Sequence, residues 1–404
     1  MSANGNVYDV AIVGASVAGC TAARLYAQRG ARVALIERKP SADAYKTVCT
    51  HYIQPSATPV IEKLGLAPLI EERGAIRNSI DIWWRTSGWI KLSDVDAPYG
   101  YSVTRRILDP LLRKLTADTP GVDLMLGWTA TGLLGDGRPA GVEIEDRAHR
   151  RREVGARLVV GADGRDSGIA RLARVPGRVK PHGRFFYWAY WRGVVPEGQT
   201  KRSRMWMLNP DCAYTFPNED DLTLILVAPH KDRLPDFRAD LEGAYMRMIR
   251  SLPDAPQLRD ATRESKLLGK LELPNVIRPA GRPGIAFVGD AALAGDPLYG
   301  IGCGWALQSA DWLVDETADP LLDGGDLDTA LASYARVHRK RLGPHHMMLA
   351  DISSGRPVNP FERRLAKLAA RDRVVREAFE AVGSRREPPS AVFRPRVLAR
   401  LIRG

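Results

Sequence analysis

The stretch Gly14-Ala15-Ser16-Val17-Ala18-Gly19 constrains this chain more than any other. The apolar run VYDVAIV at 7–13 stops at Gly14. From Ser16 to Gly30 small residues carry apolar positions at helical spacing, and a second β-like run, RVALI at 32–36, follows. Strand, helix and strand with so little chain between them imply parallel pairing through a right-handed crossover. Such a unit binds its ligand at the carboxyl ends of the strands. The turn needs an unobstructed backbone at Gly14, and Gly19 lets the helix lie close on the strand. The helix N-terminus then offers free N–H groups and partial positive charge to a pyrophosphate. Ser16 stands at the second glycine of a GxGxxG pattern; it is small and can donate a hydrogen bond. Glu37, 18 residues beyond Gly19, closes the second strand. A carboxylate there can accept both hydroxyls of an adenosine ribose and disfavours a 2′-phosphorylated cofactor in this site.

The middle of the chain has another rhythm. From Ile80 to Leu92 and from Arg184 to Val227, β-branched and aromatic residues alternate with polar ones. Turn signals separate them at Pro196-Glu197-Gly198, Asn209-Pro210-Asp211 and Asn218-Glu219-Asp220, which predicts a mostly antiparallel sheet. Alternation puts Phe186, Trp188 and Tyr190 on one face of a strand and Phe185, Tyr187 and Trp191 on the other. Helices are expected over Asp109–Asp118, from about Trp305 to Ala318, and from Asp326 onward. No internal repeat or low-complexity segment is present.

Two further strand ends carry aspartates. Gly161-Ala162-Asp163-Gly164-Arg165-Asp166-Ser167 follows the run at Leu158–Val160. Gly289-Asp290-Ala291-Ala292 follows Ile285–Val288 and leads into Gly295-Asp296-Pro297-Leu298-Tyr299-Gly300-Ile301-Gly302-Cys303-Gly304. An aspartate at a strand end can hold a polyol hydroxyl. A glycine-rich loop opening a helix can offer N–H groups to a carbonyl or an anion.

In order and spacing, from Val7 to Ala318, these motifs resemble the flavoprotein monooxygenases of the para-hydroxybenzoate hydroxylase type. Flavin-dependent halogenases and geranylgeranyl reductases share that superfamily. The resemblance implies non-covalent FAD, with its pyrophosphate at Gly14, Ser16 and Gly19 and its adenosine ribose at Glu37 and the adjoining Arg38. It implies that Asp163 serves FAD and NAD(P)H handling, that Gly289-Asp290 holds the ribityl chain, and that Pro297, Gly300, Ile301 and Gly302 lie beside the flavin pyrimidine ring. Arg105, in SVTRRILDPLL, is similar to an arginine that contacts FAD, with Arg106 a competitor for the role. Lys46, in the loop Tyr45–Cys49, could reach a cofactor phosphate. Two positions depart from the hydroxylase pattern: Leu293 replaces a histidine and Gly304 an asparagine. Ala213-Tyr214-Thr215-Phe216-Pro217 half-resembles the YxWxFP of geranylgeranyl reductases and some halogenases, and no WxWxIP of halogenases occurs.

The fold expected is therefore α/β: a Rossmann-like FAD-binding domain over 1–80, 100–175 and 275–322, an inserted β-sheet substrate domain over 81–99 and 176–274, and a helical C-terminal region over 323–404. The resemblance implies a monooxygenase that uses NAD(P)H and O2 through a C4a-hydroperoxyflavin, with NAD(P)H docking transiently. A dry pocket and few catalytic side chains suffice for such chemistry. No catalytic residue is assigned. His51, Trp188, Tyr190, Trp206, Tyr214 and Phe216 are candidates to line a site for a sizeable aromatic or polyketide-like molecule. A reductase, a halogenase and a non-redox flavin-bound cyclase or scaffold are the alternatives.

Composition supports this reading by exclusion. At 404 residues with 45% hydrophobic and 26% charged residues, the chain is neither disordered nor fibrous. Its four cysteines, Cys20, Cys49, Cys212 and Cys303, form no CxxC pair, so neither a disulfide scaffold nor a zinc ribbon is expected. His345-His346 offers no metal-site spacing, and no metal is expected. The N-terminal residues do not resemble a signal peptide and no apolar run reaches about 18 residues, so a cytoplasmic protein is expected. The formal charge is +12, and residues 361–404 hold 12 basic and 5 acidic side chains, or +7 of that total. The basic region could be a solvated helical tail or could meet an acyl carrier protein or a membrane surface. Its arginines are accompanied by three scattered phenylalanines, Phe361, Phe379 and Phe393, with no regular interleaving, so nucleic acid is not expected.

Overall fold

The computed structural model describes residues 8–91, 98–195 and 202–403. The turn signal at Pro196–Gly198, residue Val7 and the end of the Ile80–Leu92 stretch lie outside those residues. Strand Tyr8–Val13 lies at the centre of a parallel sheet. It pairs with Val33–Glu37 on one side and Arg151–Gly161 on the other, with Ala11 opposite Ala34 and Ile12 opposite Val160. Val122–Leu126 and Ile285–Phe287 extend the sheet outward, also in parallel. The runs VAIV, VALI and LVV are apolar without alternation because both faces are covered; Val10 to Ile12 and Val33 to Ile36 are fully buried. Helices Val17–Gln28, Arg105–Ala117 and Ile301–Leu322 lie over the sheet, the first in contact with both others.

The second large sheet runs, edge to edge, through Thr262–Arg263, Phe186–Arg192, Leu222–Ala228, Cys212–Pro217, Ser203–Met207, Ile80–Trp84 and Gly88–Ile90. All neighbours are antiparallel except Ser203–Met207 and Ile80–Trp84, which pair in parallel. Its alternation sorts side chains into two cores. Phe186, Trp188, Met205, Met207, Tyr214, Phe216 and Leu226 join the core that surrounds the parallel sheet. Phe185, Trp191, Trp206, Ile225 and Val227 face the other way, where helices Leu234–Ala239 and Leu241–Arg250 close over them with Phe237, Tyr245 and Met248.

The two sheets are tied by a buried ion pair. Arg184, just before strand Phe186–Arg192, reaches Asp296 at 3.2 Å, and neither side chain is more than 1% exposed. Asp296 also accepts from the backbone N–H of Leu298 at 2.9 Å, so the pair fixes the entry to the Pro297–Gly304 loop.

The C-terminal region is packed onto the body. Helix Leu327–Ile352 lies along Ile301–Leu322, and Pro360–Ala369, Arg373–Gly383 and Pro395–Arg403 follow. Leu365, Val375, Val382, Val392, Val397 and Leu401 are buried, and the Phe379 ring meets Trp84 edge-on at 6.2 Å. The expectation of a solvated tail is thus corrected: each helix is amphipathic and has a body to pack on. No helix among the described residues is long and apolar enough to cross a membrane.

Candidate active site

The carboxyl ends of the parallel strands open into a cleft of about 940 Å³. Gly14, Ser16, Val17, Glu37 and Arg38 line one end. Asp163, Arg165, Asp290 and Pro297 with Gly300–Cys303 line its floor, and Phe186, Trp188 and Leu226 of the second sheet form a wall. Lys46 and Arg105 reach it from the side.

The first turn is tight by necessity. A side chain at Gly19 would place its Cβ 1.8 Å from the Gly14 carbonyl oxygen, so the helix approaches the strand only without one. Gly19 thus shapes the turn from behind and does not line the cleft. Gly289 likewise packs between Ala18 and Ala306. The first-turn N–H groups of helix Val17–Gln28 have no partner within the helix, and the cleft-lining Ser16, Val17 and Ala18 stand at that end. Glu37 is 8% exposed. Its two oxygens accept backbone N–H groups of Ala15 and Lys39, each at 2.9 Å, which aims the carboxylate at the turn and leaves lone pairs for ribose hydroxyls.

Arg105 is buried at 3% exposure, whereas Arg106 is exposed; of the two, Arg105 lines the cleft. The helix begins at Arg105, four residues before the sequence reading. Its guanidinium pairs with Asp109 at 2.6 Å and donates to Ser16 Oγ at 2.7 Å. One turn further on, Arg113 donates to the Ala15 carbonyl at 3.1 Å. Arg105, Asp109 and Arg113 share one helix face at i, i+4, i+8 spacing. That signal was in the sequence, and starting the helix at Asp109 concealed it.

Lys46 spans the cleft to Asp290 at 3.0 Å. Burial acts to raise the Asp290 carboxyl, but Lys46, Arg165 and Arg105 together hold it below its ordinary value. The attraction of Asp290 raises the Lys46 ammonium. Asp163 lines the cleft, yet its carboxylate is turned onto Ser167 Oγ at 2.6 Å and the Ile169 N–H at 3.0 Å; it builds the loop. Arg165, in the same motif but not singled out by sequence, donates to the carbonyls of Gly295 and Pro274 and so joins the second and third strand-end loops.

The aromatic candidates divide. Trp188 lines the cleft with its indole N–H buried, and the indole N–H of Trp305 is buried without a partner among the described residues. His51 is 3% exposed and lies behind the lining. Its Nδ1 accepts the backbone N–H of Arg105 at 3.0 Å, and its Nε2 lies 2.5 Å from the Tyr190 hydroxyl. The neutral ring therefore carries its proton on Nε2 and donates to Tyr190. Tyr214 and Phe216, expected at the site, are packed in the core beneath the sheet, stacked on each other at 5.8 Å. Trp206 is on the wrong face altogether: it packs against Trp89 and donates to the Pro253 carbonyl. It follows Met205, whose side chain points inward, so the period-2 rule itself excludes it. Arg385, which no sequence signal marked, enters from the C-terminal region. It donates to the Ile301 carbonyl at 3.2 Å and lies over the Trp305 ring, and burial lowers its guanidinium to about 9.

A glycine turn at a helix N-terminus, an acidic strand end beside it, and a cation-flanked loop opening a second helix define a dinucleotide cofactor site of the flavoenzyme class. The comparisons agree. A match to the family described as an FAD binding domain covers residues 7–341, and the chain belongs to that family. It is an FAD-dependent oxidoreductase. It is 28% identical over 319 residues to a 6-methylpretetramide 4-monooxygenase of Streptomyces rimosus, covering 76% of this chain and 74% of that one. It is 24% identical over 362 residues to a digeranylgeranylglycerophospholipid reductase of Methanothermobacter thermautotrophicus, covering 83% of each. The structure of the flavin-dependent brominase Bmp2 superposes with a TM-score of 0.81 at 15% identity, covering 98% of this chain and all of that one.

Proposed function

We propose that the chain is a monooxygenase that takes electrons from NAD(P)H and inserts one atom of O2 into a sizeable aromatic or polyketide-like molecule. The observation that carries this reading is the wall. Phe186, Trp188 and Leu226 line the same cleft as Pro297 and Gly300–Cys303, so the cavity that would hold a flavin has apolar aromatic and aliphatic lining. Oxygen insertion needs such a lining, because water diverts the oxidant. The Streptomyces rimosus relative, a monooxygenase by name, supports the same reading.

Bound FAD supplies the two-electron chemistry and the reaction with oxygen. The residues present suit it. The helix end at Ser16–Ala18 would hold the pyrophosphate and Glu37 the ribose. Lys46 and Asp290 would face the polyol, and the first turn of Ile301–Leu322 would offer N–H groups to a ring that gains negative charge. Arg105 holds Ser16 and Asp109 in place. His51 holds its proton at Nε2 and passes a hydrogen bond to Tyr190, which leaves the tyrosine O–H to donate onward.

A reductase acting on a carbon–carbon double bond is the second reading. The Tyr214–Pro217 half-match and the archaeal reductase relatives favour it. Turnover under ¹⁸O2 separates the two. Incorporation of one labelled atom into product is expected; turnover that persists without oxygen and leaves product unlabelled would select the reductase.

A further inference from the structure

Cys49 and Cys303 are 254 residues apart in sequence, yet their Sγ atoms are 3.8 Å apart. Cys303 lies in the first turn of Ile301–Leu322, and Cys49 closes the Lys46 loop; both line the cleft. The sequence reading found no paired cysteines, since only the fold brings these two together.

We propose that Cys49 and Cys303 are a redox-active dithiol that exchanges two electrons with the FAD held in this cleft, closing to a disulfide as the flavin is reduced. This rests on the reading that FAD binds along the loop Pro297–Gly304. The exchange balances. One S–S bond forms and two S–H bonds are lost. Two electrons and two protons pass to the oxidised flavin, which becomes the dihydroflavin. The reverse step returns them from reduced flavin to the disulfide.

Three observations support the assignment. The gap must close from 3.8 Å to about 2.05 Å, within the sweep of a side-chain rotation. Cations and donors surround the sulfurs: Arg105 Nη1 lies 3.9 Å from Cys49 Sγ and 3.7 Å from Cys303 Sγ, and the backbone N–H of His51 donates to Cys49 Sγ at 3.3 Å. Such an environment favours the thiolate, which is the reacting form. The hydrogen bond from Cys303, with help from His51 and Arg105, holds the Cys49 thiol well below its ordinary value, while the same bond and burial push Cys303 up. The His51 backbone N–H is aimed at Cys49 Sγ, so Cys49 is assigned as the attacking sulfur. The other two cysteines show the contrast. Burial raises Cys20 to about 12 and Cys212 to about 11, and neither faces a second thiol.

The test uses the full chain. Apo protein is equilibrated in glutathione redox buffers, alkylated and digested, and the peptides bearing residues 49 and 303 are sought as one linked species. In parallel, FAD-loaded protein, oxidised beforehand, is titrated anaerobically with dithionite. The expected result is a 49–303 link in oxidising buffer and uptake of four electrons per flavin, falling to two in Cys303→Ser. Cys49 is less buried, so Cys49→Ser serves as the second variant should Cys303→Ser not fold. No link in any buffer overturns the proposal. A link together with two-electron uptake in the unmodified protein also overturns it, because the pair then ignores the flavin. A chain that takes up no FAD refutes the function reading and with it the exchange. The apo link, read without flavin, tells that failure apart from a failure of the thiols to pair.

Discussion

The two sides of the cleft are built in different ways. The nucleotide side is built largely on backbone, a glycine turn, strand ends and helix N-termini, with side chains such as Glu37 held in place by backbone N–H groups. The wall from the second sheet is made of side chains, Phe186, Trp188 and Leu226, projecting from strands Phe186–Arg192 and Leu222–Ala228. A backbone site tolerates little change at a few positions. A side-chain wall distributes its tolerance, and its identity depends on which face of a sheet turns inward.

Substitutions can break that contrast. Gly19→Val should have the largest effect, since the new Cβ would sit 1.8 Å from the Gly14 carbonyl and part the helix from the strand. Protein purified with this change is expected to lack flavin absorbance; a normal flavin-to-protein ratio would show the turn to be less constrained than described. Arg184→Ala cuts the link between the two sides and leaves Asp296 buried without its cation. About 3–5 kcal/mol of stability should be lost, read by urea unfolding followed through both tryptophan and flavin signals. Signals that separate into two transitions would mean the sheets unfold independently.

Acid offers a test that needs no mutation. Burial depresses His338 and His345 from 6.5 to about 4 in the folded chain. The folded state thus binds fewer protons than the unfolded one. The stability tied to neutral imidazoles is complete above about pH 6.5 and is lost as pH falls toward 4, by about 1.4 kcal/mol per pH unit for each histidine. Both sit on the helix backing Ile301–Leu322. Flavin release should therefore accompany acid unfolding, and the double change H338N/H345N should flatten the slope of stability against pH.

Smaller effects sharpen the contrast further. Glu37→Gln keeps the shape of the site but weakens a charge-assisted hydrogen bond, and should cost FAD affinity by about 1.5–3 kcal/mol, measured by fluorescence titration. Within the wall, Trp188→Phe should raise KM for substrate with FAD retention unchanged, while Trp206→Phe, packed on the far face against Trp89, should leave both unaltered. A KM shift in the second variant would place substrate on the wrong side of the sheet.

What the sequence displayed follows the same division. The strand–turn–helix at 8–28, the carboxylate at Glu37 and the loops at Asp163 and Asp290 were readable, because local backbone geometry demands particular residues at fixed spacing. The alternation in Phe185–Trp191 was readable as well, and it sorts those aromatics as the structure does. It could not say that Tyr214 and Phe216 stop in the core short of the cleft, since depth is set by what packs beneath. Cys49 beside Cys303, Lys46 on Asp290 and Arg385 over Trp305 join segments 254, 244 and 80 residues apart, and pair contacts of that kind leave no period in a sequence.

One of those long-range contacts bears on engineering. Arg385 Nη2 occupies the space beside Gly304, where an added Cβ would lie 2.4 Å from it. Position 304 is one where the chain departs from the hydroxylase pattern. Any chimera that exchanges the last segment of this protein with that of another flavoenzyme would have to carry residue 304 along with it. An asparagine grafted there alone would displace the arginine, and a foreign terminus alone would open a void behind the loop Pro297–Gly304.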